Sequence, residues 1–269
     1  MLEVQNLSIS FGGLKALSHF DIVMEEGEIR GLIGPNGSGK TTFFNIITGF
    51  YPPMEGQVYF QGEDITNLKP HQIAAKGIAR TFQNVQIFSG MSVVENIQVG
   101  HHMSLKTSLW GAAFASGRFS GEEVKSFERA EALLCKIGMG ELVNRPVGSL
   151  PFGEQRKVEV LRAVAMGPKL LLLDEPTSGL SVSEKDEMTD FMKRLRDELG
   201  VTILLVEHDV RLVARVADFI TAMDFGQKIT EGTPEKVLSD PKVLEAYIGT
   251  KEPFANKRSP RLLRGHQSP

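Results

Sequence analysis

Residues 28–41 read EIRGLIGPNGSGKT: an apolar run closes on Ile33 and is followed at once by Gly34, Gly37 and Gly39, then by Lys40 and Thr41. Glycines permit backbone angles that side chains obstruct, so successive amides of such a loop can turn toward an anion. Lys40 adds a point charge, and the Thr41 hydroxyl is an oxygen ligand suited to Mg²⁺. A helix beginning at this point directs its positive end at the same anion. Strand, glycine loop and helix in this order complete the phosphate-cradling pattern G-x-x-x-x-G-K-[ST], with Pro35, Asn36 and Ser38 between the glycines and Thr42 after them. Kinases, GTPases, helicases and motors all use such a loop, so by itself it leaves the reaction open.

Two later apolar runs set the loop in a sheet. KLLLLDE (169–175) and VTILLVEHD (201–209) read as strands buried on both faces of a parallel sheet. Between them, Met188, Phe191, Met192, Leu195 and Leu199 recur at three- and four-residue spacing, which predicts a helix over 183–199 and a parallel crossover. LEVQNLSISF and GQVYFQGEDI predict short, largely antiparallel strands in the first 65 residues. RAEALLCKIGMGELV reads as helical, whereas HHMSLKTSLWGAAFASGRFSG has no sustained period, so a helical lobe with a loop-rich insertion is expected over 84–155. Thr233, Pro234 and Glu235 have the order of an N-cap, first helical position and first turn.

The strand end at LLLLDE presents two adjacent carboxylates with separable tasks. Asp174 is placed to hold the metal, and Glu175 to act on a water beyond the γ-phosphate. Gln83, after GIARTF, and His208, after VTILLVE, also follow strand-like runs, at the sheet edge where α/β proteins bind ligands.

Composition limits the partners. A chain of 269 residues with 41% hydrophobic content can bury a substantial core, and a net charge of −3 gives no basic field to concentrate nucleic acid. Cys135 is the single cysteine, fits a reducing compartment, and is expected to be a buried packing residue. The opening MLEVQNLSIS has no secretory pattern, and no stretch reaches the roughly 18 apolar residues of a membrane span, so the chain is expected on the cytosolic side. His101 and His102, adjacent and without further ligands nearby, read as loop residues, while Trp110, Phe114 and Phe119 are expected to cover the helical lobe.

The ordered set of Gly34–Thr41, Gln83, LPFGEQRK (150–157), LLLLDE (170–175), SGLS (178–181) and His208 resembles the nucleotide-binding subunit of an ABC transporter over about residues 1–249. The resemblance implies a P-loop NTPase α/β core, an antiparallel β subdomain and an α-helical signature subdomain. The core would take about 1–83 and 156–235 and the helical part about 84–155, followed by a basic, flexible tail over 250–269. It implies ATP and Mg²⁺, the metal held by Thr41, Gln83 and Asp174. Gln83 would sense the γ-phosphate and relay to a membrane subunit, Glu175 would polarise the attacking water, and His208 would stabilise the γ-phosphate. Phe11 matches the aromatic that stacks on adenine, its alternative being a strand-end core phenylalanine. Gly153 would serve the nucleotide of an opposing subunit, in trans.

The family signature is usually L-S-G-G-Q, and here Leu150–Glu154 reads LPFGE. Pro151 removes a hydroxyl and a backbone N–H from that contact. An aromatic before the signature glycine, the opening from Leu7 to Thr42, the ending KVLEAYIG and the insertion around 101–123 are similar to the branched-chain amino acid importer group. Importers of urea, short amides and aromatic acids, and a lipopolysaccharide-export ATPase, share much of this pattern. The implied partners are membrane permease subunits, a second nucleotide-binding subunit of the same or another kind and, indirectly, a solute-binding protein, on the cytoplasmic face of the inner membrane. A soluble ABC ATPase of DNA, RNA or the ribosome is the rival; the single motif set and the lack of a heptad insertion, zinc cluster or basic stripe speak against it.

Overall fold

The computed structural model describes residues 1–82, 86–104 and 116–248, with residues 102–104, 116–122 and 248 described by backbone alone. Gln83, Trp110, Phe114 and the basic tail lie outside the described residues, as does the Phe119 side chain.

Antiparallel strands β1 (Leu2–Phe11) and β2 (Leu14–Met24) precede β3 (Ile29–Ile33), which runs into the glycine loop and α1 (Lys40–Ile47). Then come the β4 (Glu55–Phe60) and β5 (Glu63–Asp64) hairpin, α2 (Pro70–Ala75) and β6 (Ile78–Arg80). The helical lobe follows with α3 (Val93–Ser104), α4 (Ser116–Lys136) and α5 (Phe152–Val164). The chain then re-enters the core through β7 (Leu170–Asp174), α6 (Val182–Leu199), β8 (Thr202–Val206), α7 (Val210–Val216), β9 (Phe219–Asp224) and β10 (Gln227–Gly232), and finishes with α8 (Pro234–Leu238) and α9 (Pro241–Ile248).

Two sheets result, in the orders β2-β1-β4-β5 and β10-β9-β3-β8-β7-β6. The first is antiparallel, and the second is parallel except for its edge strand β10. Strand alternation explains the unbroken apolar runs. Leu170, Leu172, Leu204 and Val206 join Phe43, Phe44 and Ile47 of α1 and the inner face of the small sheet in one core. Leu171, Leu173, Ile203 and Leu205 face a second core shared with α3–α7. Each leucine of β7 is fully buried, worth roughly 1.5–3 kcal/mol apiece.

Three sequence expectations are corrected here. Cys135 is exposed: Ala130, Leu134 and Ile137 form the buried stripe of α4 and its C-terminal end, and Cys135 falls off it. His101 and His102 lie in the last turn of α3 rather than in a loop. The helix around RAEALLCK begins earlier, in the segment read as irregular, and stops at Lys136, where Gly138 turns the chain at φ +75. Among the described residues, no helix is long and apolar enough to cross a membrane.

Candidate functional site

Register brings the scattered motifs to one edge. Leu32 pairs with Val206, and Val206 with Asp174, so β3, β8 and β7 end level with one another. Gly34, Glu207 with His208, and Glu175 therefore emerge side by side at the carboxyl ends of parallel strands. Strand β6 joins them: Arg80 pairs with Leu172 and the Thr81 amide donates to the Leu172 carbonyl at 3.0 Å, placing Phe82 at the same edge.

The loop is built as its glycines require. Gly39 caps α1 at φ +110, and a Cβ there would stand 2.6 Å from the Ala16 carbonyl, so only glycine fits. Lys40 is buried and folds back over the loop, donating to the carbonyls of Gly34 at 2.7 Å and Pro35 at 2.9 Å. Asn36, Gly37 and Thr41 are exposed, Pro35 and Ser38 are buried, and Thr42 is half-buried on the first turn of α1. Phe11 is 44% exposed at the end of β1, its ring edge-on to Tyr51 at 5.3 Å, which sets aside the core-phenylalanine reading.

The acidic pair occupies two environments. Asp174 is buried and takes a 2.8 Å hydrogen bond from Arg80, whose guanidinium also donates to Asn45 of α1 at 2.7 Å and lies over the Phe44 and Phe82 rings. Glu175 sits at φ +49, held by its amide on the Val206 carbonyl at 2.9 Å. Its carboxylate meets His208 Nε2 at 2.5 Å, so structure joins two residues that sequence reasoning placed separately. Glu207, passed over in favour of its neighbour, accepts from the Thr177 amide and hydroxyl at 2.8 and 2.7 Å. Burial pushes the Glu207 carboxyl up, and the Thr177 hydrogen bonds offset this only in part.

Arg156 is a second unforeseen residue. Fully buried on α5, it pairs with Glu159 at 2.7 Å and donates to the carbonyls of Phe82 at 3.2 Å and Glu175 at 3.4 Å. Glu159 accepts from the Gln86 amide at 3.1 Å, so α5 holds the chain on both sides of residues 83–85. Beside this lies a groove of about 450 Å³ whose lining includes Phe50, Ala74, Arg80, Phe82, Gln86 and Arg162. The signature residues open α5, with Pro151 as N-cap residue and Gly153 buried in the first turn. The Gly153 amide donates to Glu184 at 3.1 Å.

The comparisons with known proteins agree in kind. A family model described as "ABC transporter" matches residues 17–178, and one described as "Branched-chain amino acid ATP-binding cassette transporter" matches residues 227–253. The chain is 41% identical over 249 residues to the high-affinity branched-chain amino acid transport ATP-binding protein BraF of Pseudomonas aeruginosa, covering 93% of this chain and 98% of that one. It is 39% identical over 249 residues to the corresponding LivG protein of Escherichia coli, with the same coverage of 93% and 98%. Among solved structures, a nucleotide-free ATP-binding cassette from an ABC transporter superposes with a TM-score of 0.79 at 36% identity, over 93% of this chain and 99% of that one.

Proposed function

The chain belongs to the ABC transporter family, on the branch of the branched-chain amino acid transport ATP-binding proteins, and from that premise we propose that it powers an importer of branched-chain amino acids or related small amides and acids. It is an ATP-binding cassette and an ATPase. The observation that carries the chemical reading is the level ending of β3, β7 and β8, which gathers Lys40, Asp174, Glu175 and His208 at one edge.

The residues fit MgATP. Thr41 and Asp174 offer the hard oxygen donors that Mg²⁺ prefers, and the loop is open at Gly37, which is exposed with no atom within 4 Å of where a Cβ would stand. Thr41, Asp174 and Gln83 would hold the ion, which neutralises charge on the phosphates when bound. Lys40 exchanges the carbonyls of Gly34 and Pro35 for phosphate oxygens, Phe11 offers its ring to adenine, and the loop amides from Asn36 to Thr42 hold the phosphates. Glu175 draws a proton from the attacking water, and His208 steadies the carboxylate and the γ-phosphate. Catalysis is positioning and charge stabilisation.

Two such cassettes would close on two MgATP molecules, each P-loop facing the other subunit's Gly153. The core of about 1–83 and 156–235 and the helical part of about 84–155 would meet permease subunits at the groove beside Phe82, on the cytoplasmic face of the membrane. The lipopolysaccharide-export reading and the nucleic-acid or ribosome reading lose weight, because the similarity to amino acid transport cassettes runs through 93% of the chain and the C-terminal family match falls in the same group. Reconstitution with the permease subunits and solute-binding protein tests the substrate. Leucine, isoleucine or valine should stimulate ATP hydrolysis and enter proteoliposomes; a response to lipopolysaccharide alone overturns the importer reading.

A further inference from the structure

The amide that would contact the opposing γ-phosphate already carries an anion. Gly153 donates to Glu184 Oε1 at 3.1 Å, while Glu184 Oε2 accepts from the Ser181 amide at 2.9 Å and hydroxyl at 2.7 Å. One carboxylate thus spans the head of α5 and the SGLS turn that leads into α6. Contact between the two segments is close: a Cβ at Gly153 would stand 2.9 Å from Glu184 Oε1, and a Cβ at Gly179 would stand 3.3 Å from the Phe152 ring. Hydrogen bonds from the Ser181 side chain, the Ser181 backbone and Gly153 hold the Glu184 carboxyl below the usual carboxylate range, so it is charged at neutral pH.

We propose that Glu184 is an internal stand-in for the γ-phosphate, seated on the signature amide of the separated subunit and displaced from it when the partner's ATP arrives. The proposal rests on the trans reading of Gly153 and adds a residue that sets how much ATP closure requires. An amide N–H has one proton to give, and two anions cannot share it without repulsion. Pro151 sharpens the competition, since it offers neither the hydroxyl nor the N–H that a serine would bring. Displacement leaves the Ser181 half of the bridge intact, so Glu184 can turn away without losing its capping box.

The test uses the assembled transporter in a Glu175→Gln background, with closure of the cassettes followed by distance labels as ATP is raised. Glu184→Gln keeps an acceptor for Ser181 and removes the charge, so half-maximal closure should need roughly 3- to 10-fold less ATP, the scale of exchanging a charge-assisted hydrogen bond for a neutral one. Glu184→Asp keeps the charge but is too short to bridge, and should ease closure by a smaller factor. A carboxylate that merely braced the two segments would give the reverse, with both variants closing less readily, and that result or an unchanged midpoint overturns the proposal. Equal easing with ADP overturns it too, because ADP has no γ-phosphate to compete. Absence of any ATP-dependent closure in the parent complex defeats the trans reading of Gly153 itself, and the proposal with it.

Discussion

Glu175 adopts φ +49, a left-handed conformation that side-chain-bearing residues avoid at a cost of order 1–3 kcal/mol. The bonds on either side of it show what sustains the strain: the amide on Val206, the carbonyl near Arg156 and the carboxylate on His208. Asp174 meets Arg80 while Glu175 meets His208, a separation of environments that the proposed division of metal holding from base work requires. Glu175→Gln should therefore retain ATP binding while hydrolysis slows by about 10²- to 10⁴-fold, as for loss of a general base; a rate within a few-fold of wild type removes it from that role. Glu207, one strand over, has its carboxyl pushed up by burial. Its charge costs stability in full at pH values above the raised pKa, and the cost shrinks as pH falls below that pKa and is gone below the ordinary carboxylate pKa of the unfolded chain. Glu207→Gln keeps the acceptor for Thr177, so its thermal midpoint should exceed wild type by a few degrees at pH 8 and converge with it on acidification. A gap that widens toward low pH would contradict the buried-charge account.

Helix α5 carries more of the site than its signature residues. Arg156 and Glu159 lie on its buried side and reach the backbone of Phe82, Gln86 and Glu175, so hydrogen bonds tie the first turns of the helix to the chain at the strand ends. Arg156→Met leaves Glu159 buried without its partner and should cost about 3–5 kcal/mol in denaturant unfolding. Adding Glu159→Leu should recover much of the loss, since an apolar pair of similar volume is tolerated where a lone charge is not. The same helix marks what the sequence can tell. The strands KLLLLDE and VTILLVEHD, the crossover helix between them, and the Thr233–Pro234 helix start were legible because each signal is local: an apolar run, a 3.6-residue period, a capping order. The Glu175–His208 contact, the Arg80–Asp174 pair and the bridge from Glu184 to Gly153 join residues 33, 94 and 31 positions apart, and no spacing rule encodes them. The start of α4 was missed for another reason, since the Gly- and Ser-rich ASGRFSG weakens its helical period at just that end.

In the proposed pair of cassettes, each chain would be half of each site. Lys40 would stand at the P-loop half and Gly153 at the signature half, on separate elements, so lesions at the two positions should complement across a pair of subunits. Lys40→Ala removes the charge that holds phosphate and should abolish most MgATP affinity. Gly153→Asp adds a carboxylate to an amide that Glu184 already occupies, with its Cβ 2.9 Å from that side chain, so it injures the signature from within its own chain as well as toward the opposing phosphate. Both injuries lie on the same half, which keeps the logic of the mixture clean. In a mixed two-fold pair, one site combines an intact P-loop with an intact signature and the other carries both lesions. Random pairing gives mixed pairs half the time, so hydrolysis should return to about a quarter of wild type if sites act independently. Where the cassette pairs with a different one, a lesion on each chain replaces the random mixture and the expected recovery is one working site per pair. Mixed pairs that form, as shown by tags on the two variants, yet hydrolyse no faster than either parent would mean that Gly153 does not serve the opposing nucleotide or that one site cannot fire without the other. Loading the Gly153→Asp variant alone with ATP separates these two: nucleotide bound without closure keeps Gly153 at the shared interface and indicates linked sites, and closure at the wild-type ATP concentration removes Gly153 from that interface.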